Sequence, residues 1–231
     1  MNKLFLITGA STGIGEATAR QAVEAGFNVV LAARSTEKVE KLAAELGTEH
    51  ALALTCDVAD WQSQQQMVEK TLERFGRLDV VFANAGFSKG STFYGGEDKP
   101  DEWREMVMTN IFGAAATARL TLPELVKTAG HFLITGSVVG HITSIRNLYS
   151  ATKWAVTGMA HAIRNEMVGT GIRVTLIEPG VVDTPFWENL QKPFTPELYP
   201  DDIARAVMFA VSQPPHVDVN DILIRPTGQP H

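Results

Sequence analysis

The chain has 231 residues, of which 45% are hydrophobic and 20% are charged, a balance typical of a soluble protein with a sizeable buried core. Its 20 basic and 26 acidic residues give a formal net charge of −6 with no run of Lys or Arg, which argues against nucleic-acid and anionic-membrane partners. The single cysteine, Cys56, excludes an internal disulfide, and no apolar stretch reaches the roughly 20 residues of a membrane span, so we expect a cytoplasmic protein.

Short apolar runs alternate with longer segments of helical spacing along the whole chain. Runs of strand length occupy residues 4–7, 29–33, 51–54, 78–83, 131–134, 172–177 and 221–224. Helical spacing is clearest at 67–75, where Asp60 is a suitable N-cap and Gly76 a suitable end. Strands that are apolar throughout are buried on both faces. The pattern therefore predicts a Rossmann-type, doubly wound α/β fold with about seven parallel strands and helices on both faces, as a single domain over residues 1–231.

A glycine-rich turn joins the first predicted strand to the first predicted helix. It reads Thr8-Gly9-Ala10-Ser11-Thr12-Gly13-Ile14-Gly15. Such glycines permit a tight turn and a close approach of the backbone to a pyrophosphate, while the helix N-terminus supplies N–H donors and partial positive charge. We therefore predict that a dinucleotide binds at this turn, through Gly9, Ser11, Thr12, Gly13, Ile14 and Gly15.

The same turn has a second interpretation, as the nucleophile elbow of a serine hydrolase. Gly9-x-Ser11-x-Gly13 fits the Gly-x-Ser-x-Gly pattern, and Asp183 and His216 follow in the order that a triad of this class needs. The elbow also needs an oxyanion-hole N–H from an earlier βα loop, and no loop precedes the first turn. A hydrolase that uses Ser11 is therefore the weaker alternative.

The end of the second predicted strand indicates which dinucleotide is preferred. A fold that selects NAD usually has Asp or Glu about 20 residues after the glycines, whereas a nearby Arg accommodates the 2′-phosphate of NADP. Here Ala33 is neutral, and Arg34 and Ser35 follow it. Because no carboxylate repels the phosphate and a guanidinium can pair with it, the sequence predicts NADP(H) rather than NAD(H).

Four polar residues are predicted to converge with the glycine turn on one cleft. Tyr149 and Lys153 lie four residues apart in a segment of helical character, so they share a face and the ammonium can lower the pKa of the phenol. Ser137 follows the fifth predicted strand and can donate a hydrogen bond to a substrate oxygen. Asn110 interrupts an apolar helical stretch over residues 106–116, where an amide needs polar partners.

With these motifs the chain resembles the short-chain dehydrogenase/reductase family over nearly its whole length. The family's glycine motif matches residues 8–15, and its Asn-Ser-Tyr-Lys tetrad matches Asn110, Ser137, Tyr149 and Lys153. The resemblance implies further cofactor contacts after the third, fourth and sixth strands, at Asp57, Val58, Asn84, Ala85, Gly86, Pro179, Gly180, Val182 and Thr184. Many NADP-preferring members also have a basic residue inside the glycine turn, where this chain has Ser11 and Thr12.

The activity that the resemblance implies is hydride transfer between NADP(H) and a small-molecule alcohol/carbonyl pair. Ser137 would polarise the substrate oxygen, and Tyr149 would act as general acid and base. Lys153 would lower the pKa of the tyrosine and bind the cofactor ribose, which makes Tyr149 and Lys153 cofactor contacts as well. Asn110 would hold a water that links Lys153 to solvent. A catalytically silent dinucleotide-binding module is the alternative.

Two substrate classes remain open at this point. The segment 180–200, rich in Pro, Phe and Trp, is predicted to form a lid over the substrate that Ser137 and Tyr149 contact. The C-terminal stretch resembles that of 3-hydroxy acid and serine dehydrogenases, and Arg146 could receive a substrate carboxylate. Aromatic residues could instead form an apolar pocket for a bulky ketone or aromatic alcohol, namely Phe87, Phe93, Tyr94, Phe186, Trp187 and Phe194.

The remaining expectations concern assembly and metals. The family usually forms tetramers through two long helices, which implies a homotetramer or homodimer here, with packing faces at residues 114–118 and 154–162. The histidines show no metal-binding spacing, and Cys56 is expected to be a small buried hydrophobe. No metal is predicted.

Overall fold

The central element is a seven-stranded parallel sheet in a computed structural model that describes residues 2–89, 92–94, 99–142, 148–188 and 197–230. The strands are β1 (Leu4–Thr8), β2 (Asn28–Ala33), β3 (Ala51–Thr55), β4 (Val80–Ala83), β5 (His131–Thr135), β6 (Arg173–Pro179) and β7 (Asp221–Ile224). Their order across the sheet is β3-β2-β1-β4-β5-β6-β7. The strand order reverses between β1 and β4, and doubly wound sheets bind ligands beyond the carboxyl ends of the strands at such a point.

Helices connect the strands and cover the sheet. They are α1 (Gly13–Glu24), α2 (Thr36–Leu46), α3 (Trp61–Phe75), α4 (Pro100–Val107), α5 (Ala114–Thr128), α6 (Leu148–Met167) and α7 (Pro200–Ser212). A π-helical segment, Met108–Gly113, joins α4 to α5. Short 3-10 helices occupy Val138–Gly140 and Pro185–Trp187.

Alternate residues of each strand pack into two cores on opposite faces of the sheet. In β1, Leu4 and Leu6 belong to the core that α3, α5 and α6 cover. Phe5 and Ile7 belong to the core that α1, α2 and α7 cover. Burial on both faces explains why the strands are apolar throughout, and the predicted Rossmann-type, doubly wound α/β fold is confirmed.

Strand ends differ from the prediction by at most two residues, and the two differences of that size occur where a polar residue is buried. Strand β6 continues past residue 177 through Glu178, which is 1% exposed and pairs with Nε2 of His141. Burial raises the pKa of Glu178, and the charge of His141 opposes that rise. Strand β4 begins at Val80 rather than at residue 78, after Asp79 has accepted the N–H of Leu4 at 2.8 Å.

Within the described ranges, no helix is long and apolar enough to cross a bilayer. The same ranges contain no group of three or more His, Cys, Asp or Glu residues arranged to hold a metal ion. Burial raises the pKa of the Cys56 thiol to about 11, which keeps the thiol protonated at neutral pH.

Candidate active site

A cavity of about 1110 Å³ opens at the carboxyl ends of strands β1 to β6. Every residue that the sequence predicts as a cofactor contact lines it, except Gly15. The other predicted residues on its walls are Ser137, Phe87, Phe186 and Trp187. Gly15 and Asn110 lie behind the walls, since Gly15 is buried in α1 and Asn110 is 2% exposed. Arg146 lies outside the described residues.

Two glycines of the turn allow close backbone contacts that a side chain would prevent. Gly9 has a φ of +65°, and a Cβ placed there would lie 2.9 Å from Cα of Ala85. A Cβ at Gly15 would lie 2.3 Å from the carbonyl oxygen of Gly9. Thr12, the N-cap of α1, makes no side-chain capping bond, so the first N–H groups of the helix remain for a ligand. Such a cradle fits a pyrophosphate.

Replacing Gly15 by Ala is expected to lower the free energy of unfolding by about 3 kcal/mol, because the new methyl group overlaps rigid backbone rather than a movable side chain. The matched control is Gly158→Ala in α6, where a Cβ would meet nothing within 4 Å. In that control the free energy of unfolding should rise by about 0.5–1 kcal/mol, because alanine has a higher helix propensity than glycine. Urea denaturation of both variants checks the difference, and equal stability of Gly15→Ala and the wild type would contradict it.

Side-chain hydrogen bonds tie the glycine turn to Lys153. Nδ2 of Asn84 donates to the carbonyl oxygen of Thr8 at 3.1 Å, and Oδ1 of Asn84 accepts from the hydroxyl of Thr135 at 3.1 Å. Nζ of Lys153 donates to the carbonyl oxygen of Thr135 at 2.7 Å. Three neighbouring strand ends, those of β1, β4 and β5, thereby hold the lysine in a fixed position relative to the turn.

The π-helical segment places Asn110 next to this network. Its Oδ1 accepts from the N–H of Phe87 at 3.1 Å, and its Nδ2 donates to the carbonyl oxygen of Phe87 at 3.0 Å and to Oγ1 of Thr152 at 3.1 Å. A Cβ at Gly86 would lie 3.2 Å from Oδ1 of Asn110 and 3.6 Å from Nζ of Lys153. The buried amide has the polar partners that its helical position requires. A relay water at Asn110 remains a prediction.

Tyr149 and Lys153 share one face of α6, as the spacing predicts. Nζ of Lys153 lies 5.7 Å from the centroid of the Tyr149 ring. Burial raises the pKa of Tyr149, and its hydrogen bond with the side chain of Ser137 opposes that rise. Burial lowers the pKa of Lys153 to about 8.

The direction of the Tyr149 pKa corrects one expectation from the sequence. The sequence predicts that Lys153 lowers this pKa, whereas in the structure the pKa is raised because burial of the phenol outweighs its hydrogen bond with Ser137. The ammonium of Lys153 is hydrogen-bonded to the carbonyl oxygen of Thr135 instead. At neutral pH the phenol is therefore protonated and can act as a proton donor.

Ser137 contacts both Tyr149 and the last residue of β6. It is 8% exposed and begins the short helix Val138–Gly140, where its Oγ accepts from the N–H of Val139 at 3.3 Å. The hydroxyl also lies 3.5 Å from the carbonyl oxygen of Pro179, to which it can donate. Ser137 and Tyr149 thus bring two hydroxyl groups to one wall of the cavity.

The aromatic residues after β6 form an apolar wall beside these hydroxyls. The ring centroid of Phe186 lies 5.5 Å from that of Tyr149 and 5.2 Å from that of Trp187. Nε1 of Trp187 donates to the carbonyl oxygen of Val182 at 3.0 Å, which fixes the indole. Of the predicted lid over residues 180–200, residues 189–196 lie outside the described residues.

The hydrolase alternative does not fit the topology. Ser11 follows β1 at the carboxyl edge of the sheet, whereas His216 lies between α7 and β7 at the amino edge. Two residues after His216, the carboxylate of Asp218 accepts the N–H of Val174 at the start of β6, at 3.0 Å. A Ser11–His216 pair therefore cannot form.

Several cavity residues were not identified from the sequence: Lys89, Val139, Ile142 and Gln229. Val139 and Ile142 lie two and five residues after Ser137, and Lys89 lies two residues after Phe87, so their positions in loops after strand ends could have indicated them. Gln229 gives no such local signal. Its Oε1 accepts the N–H of Val181 at 3.0 Å, a contact that the tertiary fold alone creates.

The chain is similar to known proteins over nearly its whole length. The profile of the short chain dehydrogenase family matches residues 3–194. An uncharacterized oxidoreductase of Staphylococcus aureus (strain MRSA252) is 36% identical over 229 residues, which cover 97% of each chain. The alcohol dehydrogenase from the archaeon Thermococcus sibiricus, complexed with 5-hydroxy-NADP, is 34% identical with a TM-score of 0.91 and covers 99% of this chain and 98% of its own. The closed form of serine dehydrogenase, complexed with NADP+, is 28% identical with a TM-score of 0.90, and 99% and 96% of the two chains are covered.

Proposed function

Because this chain belongs to the short-chain dehydrogenase family and is an oxidoreductase of that family, we propose that it interconverts a secondary alcohol and a ketone or aldehyde with NADP(H). Tyr149 is the proposed general acid and base. The observation that carries the proposal is the grouping of Tyr149, Ser137 and Lys153 on the cavity that the glycine turn also lines.

The hydroxyl groups of Ser137 and Tyr149 have different roles at the substrate oxygen. Ser137 donates a hydrogen bond to the carbonyl oxygen, and Tyr149 delivers the proton in the direction of reduction. The raised pKa of Tyr149 keeps its phenol protonated for that step at neutral pH. Both donors act on an oxygen whose negative charge grows in the transition state, which is where such contacts accelerate a reaction.

The residues at the glycine turn and at the end of β2 fit NADP(H). The cradle at Gly9 and Gly15 would hold the pyrophosphate, Arg34 and Ser35 the 2′-phosphate, and Lys153 the ribose next to the nicotinamide. When bound, the nicotinamide supplies or accepts the hydride. Two structural neighbours support this assignment, since the alcohol dehydrogenase is complexed with 5-hydroxy-NADP and the serine dehydrogenase with NADP+.

The described walls favour a substrate with an apolar or aromatic substituent on the carbonyl carbon. The ring of Phe186 lies 5.5 Å from that of Tyr149, and four further apolar residues line the same cavity: Phe87, Val139, Ile142 and Trp187. A 3-hydroxy acid is the second candidate, because serine dehydrogenase is a structural neighbour. Its carboxylate would need a cation such as Arg146, which lies outside the described residues.

A substrate panel tests the proposed activity. Aryl ketones and 3-oxo acids of equal carbon number are compared by the absorbance of NADPH and NADH. We expect kcat/KM for the aryl ketones to exceed that for the 3-oxo acids by about tenfold or more, and Trp187→Ala to remove most of that advantage. The control is Trp61→Ala, whose side chain lies on α3 and is 39% exposed.

Each outcome of the panel selects among the remaining functions. A preference for 3-oxo acids would replace the apolar substrate with the acidic one. If NADPH and NADH each bind but no carbonyl compound of the panel is turned over, the result would favour the catalytically silent binding module.

A homotetramer or homodimer remains a proposal. Of the two packing faces expected from the sequence, residues 114–118 are less suited to a subunit contact than residues 154–162. In the range 114–118, Ala114, Ala116 and Ala118 are buried in the core of their own chain. In the range 154–162, Trp154 is 48% exposed on α6. Helix α6 is therefore the better-supported contact surface between subunits.

A further inference from the structure

Two cations line the cavity after the strands next to β1. Arg34 follows β2 and Lys89 lies in the loop after β4, and both line the cavity. These strands flank β1 on either side, and the glycine turn follows β1 itself. Ser11 and Thr12 give the turn itself no positive charge.

A single glutamate of α4 contacts both cations. Oε1 of Glu105 lies 2.9 Å from Nη1 of Arg34, and Oε2 of Glu105 lies 3.7 Å from Nζ of Lys89. Glu102, one turn earlier, lies 3.6 Å from Nζ of Lys89 and also accepts the N–H of Lys99 at the start of α4. Glu105 is thus the carboxylate that joins the two cations, and Glu102 contacts Lys89 while it caps the helix.

We propose that Lys89 and Arg34 together bind the 2′-phosphate of NADP(H), and that Glu105 competes with this phosphate for the same two cations. The oxygens of a phosphate monoester are spaced much like those of a carboxylate. Either the 2′-phosphate or the carboxylate of Glu105 can therefore bridge Arg34 and Lys89. The phosphate carries more negative charge and more acceptor oxygens than the carboxylate, and it displaces Glu105 on that account. Lys89 and Glu105 are then determinants of the choice between NADP(H) and NAD(H).

The ion pairs are open enough for this exchange. Their side chains are 40% exposed at Glu105, 44% at Lys89 and 58% at Arg34. Exposed ion pairs of this kind contribute little to folding stability. Replacing one of these residues should therefore change ligand binding without unfolding the protein.

The test measures binding rather than turnover, with NADPH, NADH, adenosine 2′,5′-bisphosphate and 5′-AMP as probes in calorimetric titrations. We expect Lys89→Gln to raise the dissociation constant about tenfold for NADPH and the bisphosphate, and to leave NADH and 5′-AMP unchanged. Glu105→Gln should lower the constant for NADPH about threefold, since the competing carboxylate is neutralised. The matched controls are Lys127→Gln and Glu124→Gln, an ion pair of 2.7 Å on α5.

The results separate this proposal from the cofactor assignment on which it rests. Tighter binding of NADH than of NADPH by the wild type would overturn the assignment of NADP(H) as the cofactor. If the wild type prefers NADPH but Lys89→Gln weakens both nucleotides equally, or neither, Lys89 does not bind the 2′-phosphate. Weaker NADPH binding by Glu105→Gln would show that the glutamate positions Arg34 instead of competing for it.

Discussion

Tyr149→Phe is expected to reduce turnover about a thousandfold while the dissociation constant for NADPH stays within about twofold of the wild type. The substitution removes one hydroxyl and keeps the ring that packs against Phe186. Proton delivery to the substrate oxygen is lost, whereas the glycine turn, Arg34 and the backbone of α6 are unchanged. Steady-state rates with the best substrate of the panel, together with NADPH titration, check both parts.

The control for this variant is Tyr199→Phe. Tyr199 is 65% exposed and precedes α7, so removing its hydroxyl should change neither quantity. Unchanged turnover in Tyr149→Phe would remove Tyr149 from the chemistry, and the acid/base role would pass to another group. A loss of NADPH binding equal to the loss of turnover would make the tyrosine a binding residue only.

The fold was predictable because its signals are local. Each strand is short and apolar, and the turn between β1 and α1 contains its own glycines, so both can be identified without knowing which elements become neighbours. Glu178 shows where this reasoning stops. A glutamate normally indicates the end of a buried strand, and only the pairing of Glu178 with His141 lets β6 continue through it.

The candidate site was predictable in its residues and less so in its electrostatics. The spacing of Tyr149 and Lys153 fixes their shared helical face, but it does not determine how deeply each group is buried, and burial decides the direction of both pKa shifts. Asn110 can be identified from the sequence as a polar residue in an apolar helical stretch. The π-helical turn that places it depends on bonds to Phe87 and Thr152, which are distant in sequence.

The Arg34–Glu105–Lys89 contacts arise from three separate segments. Arg34 could be interpreted from its place after β2, because that position has a known relation to the cofactor ribose in this fold. Nothing in the sequence around Lys89 or Glu105 indicates that α4 carries a carboxylate to the same place. Such long-range electrostatic contacts need the tertiary structure.

Lys153→Met is expected to abolish most turnover and yet raise the free energy of unfolding of the ligand-free protein by about 2 kcal/mol at pH 7. Lys153 is 4% exposed, and burial lowers its pKa from 10.5 to about 8. The folded state therefore disfavours the charged lysine, and at pH 7 that cost is fully present. Methionine has a similar length and no charge, but it leaves the carbonyl oxygen of Thr135 without the ammonium donor, which offsets part of the gain.

The pH dependence of stability distinguishes this effect from a general improvement in packing. As pH rises from about 8 towards 10.5, the wild-type lysine loses its proton in the folded state before it does in the unfolded chain, so the cost of burying the charge disappears. The stability difference between Lys153→Met and the wild type should therefore shrink over that interval. Lys41→Met, at an exposed position of α2, should show no such trend in urea denaturation between pH 7 and pH 10. A difference that stays constant with pH would mean that burial does not depress the pKa of Lys153 in the folded protein.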